Sequence, residues 1–129
     1  MEISNNMLKQ VFLINTDLGM RKGKIAVQVA HGEVYYMSEI ENALFEEDSI
    51  ANYENYQKWL NTDMPKIVLR STEEQMKHMM NELKDREIWY HEVHDKGYTQ
   101  VEPDSFTCLV VEPLEEETYN ELFKQFKLL

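Results

Sequence analysis

The pattern of apolar residues along these 129 residues predicts a single α/β domain, 1–129, built on a four-stranded mixed β-sheet with helices on both faces. Two observations carry that prediction. Short apolar runs of strand length alternate with longer segments whose apolar residues recur at helical spacing. The composition, 43% hydrophobic and 29% charged, is that of a chain with one packed core rather than a disordered one.

Residues 8–15 start mixed and become apolar, which predicts a buried first strand. Thr16 to Lys22, with Asp17 and Gly19, reads as a loop. From Gly23 the period lengthens. Ile25, Val29, Met37, Ile40 and Leu44 form an expected apolar stripe, with Ala26, Ala30 and Val34 beside it. Lys24, Gln28, His31 and Tyr35, at spacings of four, three and four, are expected on a shared opposite face. Within 45–64, Tyr53, Tyr56, Trp59 and Leu60 predict a second helix with those residues turned inward. A second strand follows over 65–70, entered through Pro65.

Ser71 or Thr72 followed by Glu74 or Gln75 is a capping-box pattern, and Met76, Met79, Met80 and Leu83 make the apolar stripe of a third helix. Residues 88–94 alternate as a strand, 95–104 form a loop with Gly97 and Pro103, and 106–111 form a fourth strand. Pro113 with Glu115, Glu116 and Glu117 opens a last helix, with its carboxylates at the positive end.

The net charge of −11 is unevenly spread: +1 over residues 1–37, −6 over 38–64, −1 over 65–100 and −5 over 101–129. That excludes a broad basic face for coating nucleic acid, yet leaves room for a local cationic site at Arg21, Lys22 and Lys24. Residues 38–58 are expected to point away from that site. No apolar run approaches the roughly 18–20 residues of a membrane helix, and the first residues lack the basic and apolar parts of a signal peptide. With one cysteine, Cys108, no internal disulfide forms, and a cytoplasmic setting is expected. Serine-hydrolase, phosphate-loop and zinc-protease motifs are absent. His91 and His94, three apart on a strand, are expected on opposite faces.

Two segments ask for more than a structural reading. One runs Thr16-Asp17-Leu18-Gly19-Met20-Arg21-Lys22-Gly23-Lys24-Ile25-Ala26-Val27-Gln28-Val29-Ala30-His31-Gly32. The other runs His94-Asp95-Lys96-Gly97-Tyr98-Thr99-Gln100-Val101-Glu102-Pro103. With the strand Pro65-Lys66-Ile67-Val68-Leu69-Arg70 and the ending Phe126-Lys127-Leu128-Leu129, they resemble, in order and over nearly the whole chain, the type-2 (archaeal-type) peptidyl-tRNA hydrolase family. Arg21, Gly19, Lys96 and Asp104 depart from that family's usual residues.

The resemblance implies hydrolysis of the ester between a peptide and the 3′ ribose of tRNA, with no metal and no cofactor. It marks Lys22, Asp95 and Thr99 as catalytic. Lys22 would stabilise the oxyanion or a phosphate, Asp95 would orient or deprotonate water, and Thr99 would hold the carbonyl or the water. Arg21, Lys24, Gln28, His31, Lys66 and Gln100 are the expected substrate-binding residues, with Arg70 a further cation. Lys24 lies roughly 200° around the helix from Lys22, so it is expected to face elsewhere. The implied partner is the acceptor end of peptidyl-tRNA, with no DNA and no membrane. The family also implies a homodimer, for which the aromatic helix around Tyr53, Tyr56 and Trp59 offers a surface. The alternative is a non-catalytic acidic binding protein on the same fold, which the net charge favours and the lysine and aspartate motifs oppose.

Overall fold

The computed structural model describes residues 7–45, 48–97 and 101–129. Its strands are β1 (Gln10–Asn15), β2 (Lys66–Ser71), β3 (Tyr90–Asp95), β4 (Ser105–Val111) and β5 (Lys127–Leu128). Its helices are α1 (Lys22–Phe45), α2 (Tyr53–Asn61), α3 (Glu73–Asp85) and α4 (Glu116–Phe123), with a single 3₁₀ turn at Thr16–Leu18. The strands lie in the order β3-β4-β1-β2-β5. β1 and β2 are parallel, while β4 runs antiparallel to both β1 and β3. The fold is the expected α/β domain with a mixed sheet, but the sheet has five strands rather than four. The addition, β5, pairs Leu128 with Leu69 and Lys127 with Arg70. Two residues are too few to show any periodicity.

The sheet separates two apolar layers. Val11, Leu13, Leu69, Leu109 and Val111 meet Met76, Met79 and Leu83 of α3 and Leu122 and Phe123 of α4. Phe12, Ile14, Cys108 and Val110 meet Tyr36 and Ile40 of α1 and Trp59 of α2. This is strict alternation along β1, a central strand buried on both faces. Local signals hold where they are strongest. Thr72 accepts from the Gln75 N–H while the Gln75 side chain accepts from the Thr72 N–H, a complete capping box. Glu112, buried just past the end of β4, accepts from the Asn52 N–H at 2.7 Å and the Trp89 N–H at 3.0 Å. It thereby ties the start of α2 to the entry of β3, and its burial pushes the carboxyl pKa up.

The predicted stripe of α1 is corrected. The line that faces the sheet is Gln28, Gly32, Tyr36 and Ile40, whereas Val34, Met37 and Leu44 are exposed. Gly32 explains the choice of face. A Cβ built there meets Val110 Cβ at 3.1 Å and Phe12 Cε2 at 3.3 Å. A side chain there would push Val110 or Phe12 aside, so the glycine favours this close seat of the helix, and that contact selects residues four apart from it as the inward line. The second helix also differs from expectation. Trp59 is buried against Tyr36, and Tyr53 and Tyr56 are partly buried in the same cluster, but Leu60 is exposed. Replacing Gly32 with leucine should lower stability by about 1–3 kcal/mol. The measurement is a lower urea midpoint at unchanged denaturant slope.

Candidate active site

Because β4 is antiparallel to both neighbours, β1, β2 and β3 all run the same way. Their C-terminal residues, Asn15, Ser71 and Asp95, therefore emerge at one end of the sheet, where ligands of open α/β sheets bind. The loop after β1 and the loop after β3 share that end. The first is pinned in place. Asn15 Nδ2 donates to Phe106 O at 2.8 Å and to Glu73 Oε1 at 3.0 Å, and its Oδ1 accepts from the Asp17 N–H. Thr16 Oγ1 donates to Ser71 O, and Asp17 Oδ2 accepts from the Glu73 N–H at the start of α3.

At the centre is Asp95. Its Oδ2 accepts from Lys24 Nζ at 2.5 Å and from Gln28 Nε2 at 3.0 Å, and its Oδ1 accepts from the Gly97 N–H at 2.6 Å. Lys24 and Asp95 form an ion pair with each side chain only 9% exposed. The Lys24 hydrogen bond, more than the opposing effect of burial, holds the Asp95 carboxyl below the ordinary aspartate range. Gln28 is oriented by chemistry: a carboxylate only accepts, so the amide NH₂ faces Asp95 and Oε1 faces the other way. There it accepts from Thr107 Oγ1 at 2.6 Å, with Val93 O a second acceptor for that hydroxyl at 3.1 Å.

Thr107 owes its position to a bulge. Val93 pairs with Cys108 and His94 with Phe106, so Thr107 is the extra residue of β4. Thr107 and Cys108 both turn toward α1 as a result, where strict alternation would have sent one of them to the α3 side. The turn after Asp95 is equally specific. Gly97 has φ +83°, and a Cβ on it would lie 2.7 Å from the Pro103 backbone. The Asp104 N–H donates to Asp95 O across the same loop.

The structure thus brings Asp95, Lys24 and Gln28 together and sorts the other expected residues differently. Helical geometry does separate Lys22 from Lys24, but the one that reaches Asp95 is Lys24. It lies eight residues before Gly32, on the inward line, with Gln28 between them. Lys22 lies instead on a groove with Ile25, Ala26, Val29, Val68 and Leu129. Arg21 is exposed in the turn before α1. His31 is exposed on α1 rather than sharing the face of Lys24 and Gln28. Lys66 is at the other end of the sheet, paired in register with Gln10, with Nζ 3.1 Å from Met64 O and 5.0 Å above the Trp59 ring. A six-residue strand spans about 17–20 Å, so Lys66 stands apart from Asp95, while Arg70 is near the site end of the same strand.

Thr99 and Gln100 lie outside the described residues, as do Glu46 and Glu47 of the acidic segment. Of that segment, Glu39 lies about 22 Å along α1 from Lys24, at 1.5 Å per residue. His91 stacks on Tyr35 on the α1 side of the sheet and His94 on Phe106 on the other, as their spacing implies. Thr107 is the residue that sequence reading missed. Its one signal is a hydroxyl inside the otherwise apolar run Phe106–Val111.

Comparison with known proteins shows the family. Residues 8–129 match the family model described as peptidyl-tRNA hydrolase PTH2. A peptidyl-tRNA hydrolase of Sulfolobus acidocaldarius is 34% identical over 124 residues, which is 95% of this chain and 100% of the relative. One from Sulfurisphaera tokodaii is 35% identical over 123 residues, covering 94% of this chain and 98% of the relative. One from Thermococcus sibiricus is 32% identical over 122 residues, covering 94% and 97%. With a family model spanning almost all of the chain and relatives matched end to end, this protein belongs to the peptidyl-tRNA hydrolase PTH2 family.

Proposed function

We propose that this protein hydrolyses the ester joining a peptide to the 3′ ribose of tRNA, freeing both, with Asp95 and Lys24 at the centre of the reaction. The observation that carries the reading is the buried Lys24–Asp95 pair at the ligand-binding end of the sheet, in a chain of this family. The carboxylate accepts three donors, from Lys24, Gln28 and Gly97, out of about four acceptor positions. The remaining one is suited to a water hydrogen. Asp95 then aims the water oxygen at the ester carbonyl, while the Lys24 ammonium and the free N–H groups at the start of α1 face the developing oxyanion. Collapse of the tetrahedral species breaks the bond to the ribose oxygen. One water proton, held in passing by Asp95, ends on that oxygen, and the peptide leaves as a carboxylic acid that gives its remaining proton to solvent. Thr99 and Gln100, two to three residues beyond Gly97, stay in the proposal as groups that hold the carbonyl or the water. Arg21 and Lys22 serve as phosphate contacts. The setting is the cytoplasm, where tRNA blocked by premature release from the ribosome is recycled.

A homodimer completes the reading, through a different surface from the one first expected. The aromatic residues of α2 are engaged inside the chain. The outer face of α1 instead presents Val27, Ala30, Val34, Met37 and Leu44, spaced three, four, three and seven apart, with Glu41 filling the last interval. Val34 is 68% exposed. Crossing two such helices antiparallel sets Val27 against Leu44 and Val34 against Met37 of the partner copy. Val34→Asp should halve the mass seen in sedimentation at micromolar protein. An unchanged mass would remove α1 from the interface.

For the reaction itself, release of peptide from N-blocked aminoacyl-tRNA at low salt is the assay. Asp95→Asn and Lys24→Ala should each lower kcat by about 10²–10³ with little change in KM. Lys22→Ala should chiefly raise KM, by an amount that shrinks as salt rises. A kcat loss in Lys22→Ala with none in Lys24→Ala would return the central role to Lys22.

The low Asp95 pKa has its own signature. A folded-state pKa below the unfolded 3.8 stabilises the fold above that pH, and the contribution is lost as pH falls through the folded value. The gap in urea midpoint between wild type and Asp95→Asn should therefore be constant from pH 8 to 5 and close below 3.8. A gap that closes near neutrality would mean that Asp95 is not held by Lys24 in solution.

A further inference from the structure

The aliphatic floor of the groove on the β2 side of α1 has no task in the reaction just described, although it shares a helical turn with Lys24. Its floor is aliphatic: Ile25, Ala26 and Val29 from α1, Val68 from β2, and Leu129. It opens about 540 Å³, inside the range of about 300–1,000 Å³ common for small-ligand sites. Cations stand at its rim. Lys22 lines it directly. Arg70 follows Val68 by two residues on β2, and so lies on the same face of the strand. Among the described residues, neither Lys22 nor Arg70 forms a salt bridge. Arg70 spends one N–H, Nε, on Leu128 O at 3.2 Å, leaving four donors. Lys127, beside Arg70 in register, adds a third positive charge at this edge.

An apolar floor under two unpaired cations matches a ligand that is itself flat and apolar at one end and anionic at the other. We propose that this groove seats the terminal nucleoside of the tRNA acceptor end, its base on Ile25, Ala26, Val29 and Val68 and its 5′ phosphate between Lys22 and Arg70. The proposal rests on the hydrolase reading and adds the subsite that reading lacks. It also explains why two lysines two residues apart face different ways. The groove and the Asp95 site lie on opposite sides of the first turn of α1. A nucleotide whose base is in the groove carries its ribose across that turn, which delivers the 3′ ester to the Asp95 side. The side chain of the last amino acid of the peptide is the weaker occupant, because it has no use for the two cations.

The test uses the whole protein and the trinucleotide CCA as probe, followed by backbone amide shifts at low salt. Shifts should concentrate at residues 22–29, 68–70 and 129. Ala26→Trp, at an exposed position where the fold is safe, should weaken CCA binding tenfold or more. Arg70→Gln should weaken it several-fold and reduce the slope of log affinity against log salt by about 0.7, the single-strand value per phosphate. Shifts confined to the β3 edge, or affinity untouched by Ala26→Trp, would overturn the proposal. The same holds if Ala26→Trp leaves CCA binding intact but removes a preference for one peptide C-terminal residue over another, which would put the peptide in the groove. If instead CCA binds as described while wild type releases no peptide from N-blocked aminoacyl-tRNA, the subsite stands and the hydrolase reading alone fails.

Discussion

The close seat of α1 on β1 and β4 is the constraint from which the rest of the site follows. At Gly32 the helix backbone approaches Phe12 and Val110 to a distance that a single methyl group would strain. Once that contact is set, the 100° step of the helix decides the other positions. Residues 28 and 24 come to face the end of the sheet, residues 36 and 40 enter the core, and residues 22, 25 and 29 tip toward β2. The separation of a polar, buried centre on one flank from an apolar groove on the other is thus a result of where one side chain is missing.

An ion pair as enclosed as Lys24–Asp95 is poor evidence for stability. Removing two charges from water costs several kcal/mol each in real proteins, and their attraction regains this only when the remaining hydrogen-bonding capacity is met. Here it is met on the acidic side by Gln28 and Gly97. The arrangement is better understood as preorganisation: the carboxylate is fixed in rotamer and in charge before any substrate arrives. The low pKa fits that role: Asp95 keeps its charge to orient the water and holds the water proton only in passing.

What was legible in the sequence was local or repeated. The Thr72–Gln75 box, the proline and carboxylates before α4, and the Asp95-Lys96-Gly97 turn each lie within a few residues, so neighbouring chemistry determines them. The family motifs also singled out Asp95 and Gln28, which the fold brings within hydrogen-bond distance of each other. The failures were all about distant parts of the chain. Choosing the inward face of α1 required knowing what Gly32 meets across the sheet. The apolar residues Val34, Met37 and Leu44 pointed the wrong way because their face is left open by this chain alone. Which of Lys22 and Lys24 reaches Asp95 also depends on that face. Lys66 looked close to the site only because β2 was not yet oriented against β1, and β5 was too short to register at all.

The extra residue in β4 has a consequence for folding fidelity. Two antiparallel strands of alternating apolar residues can slip against one another, and a slip of one residue turns every side chain to the wrong face. β3 and β4 are guarded against this by Thr107. In the native register its hydroxyl meets Gln28 and the Val93 carbonyl. In a shifted register it would be enclosed among apolar neighbours with neither, leaving a hydroxyl unsatisfied at a cost of about 1–3 kcal/mol. One polar atom buried in an apolar strand therefore acts as a proofreading device, penalising a misaligned pairing of β3 and β4 once α1 has closed over it.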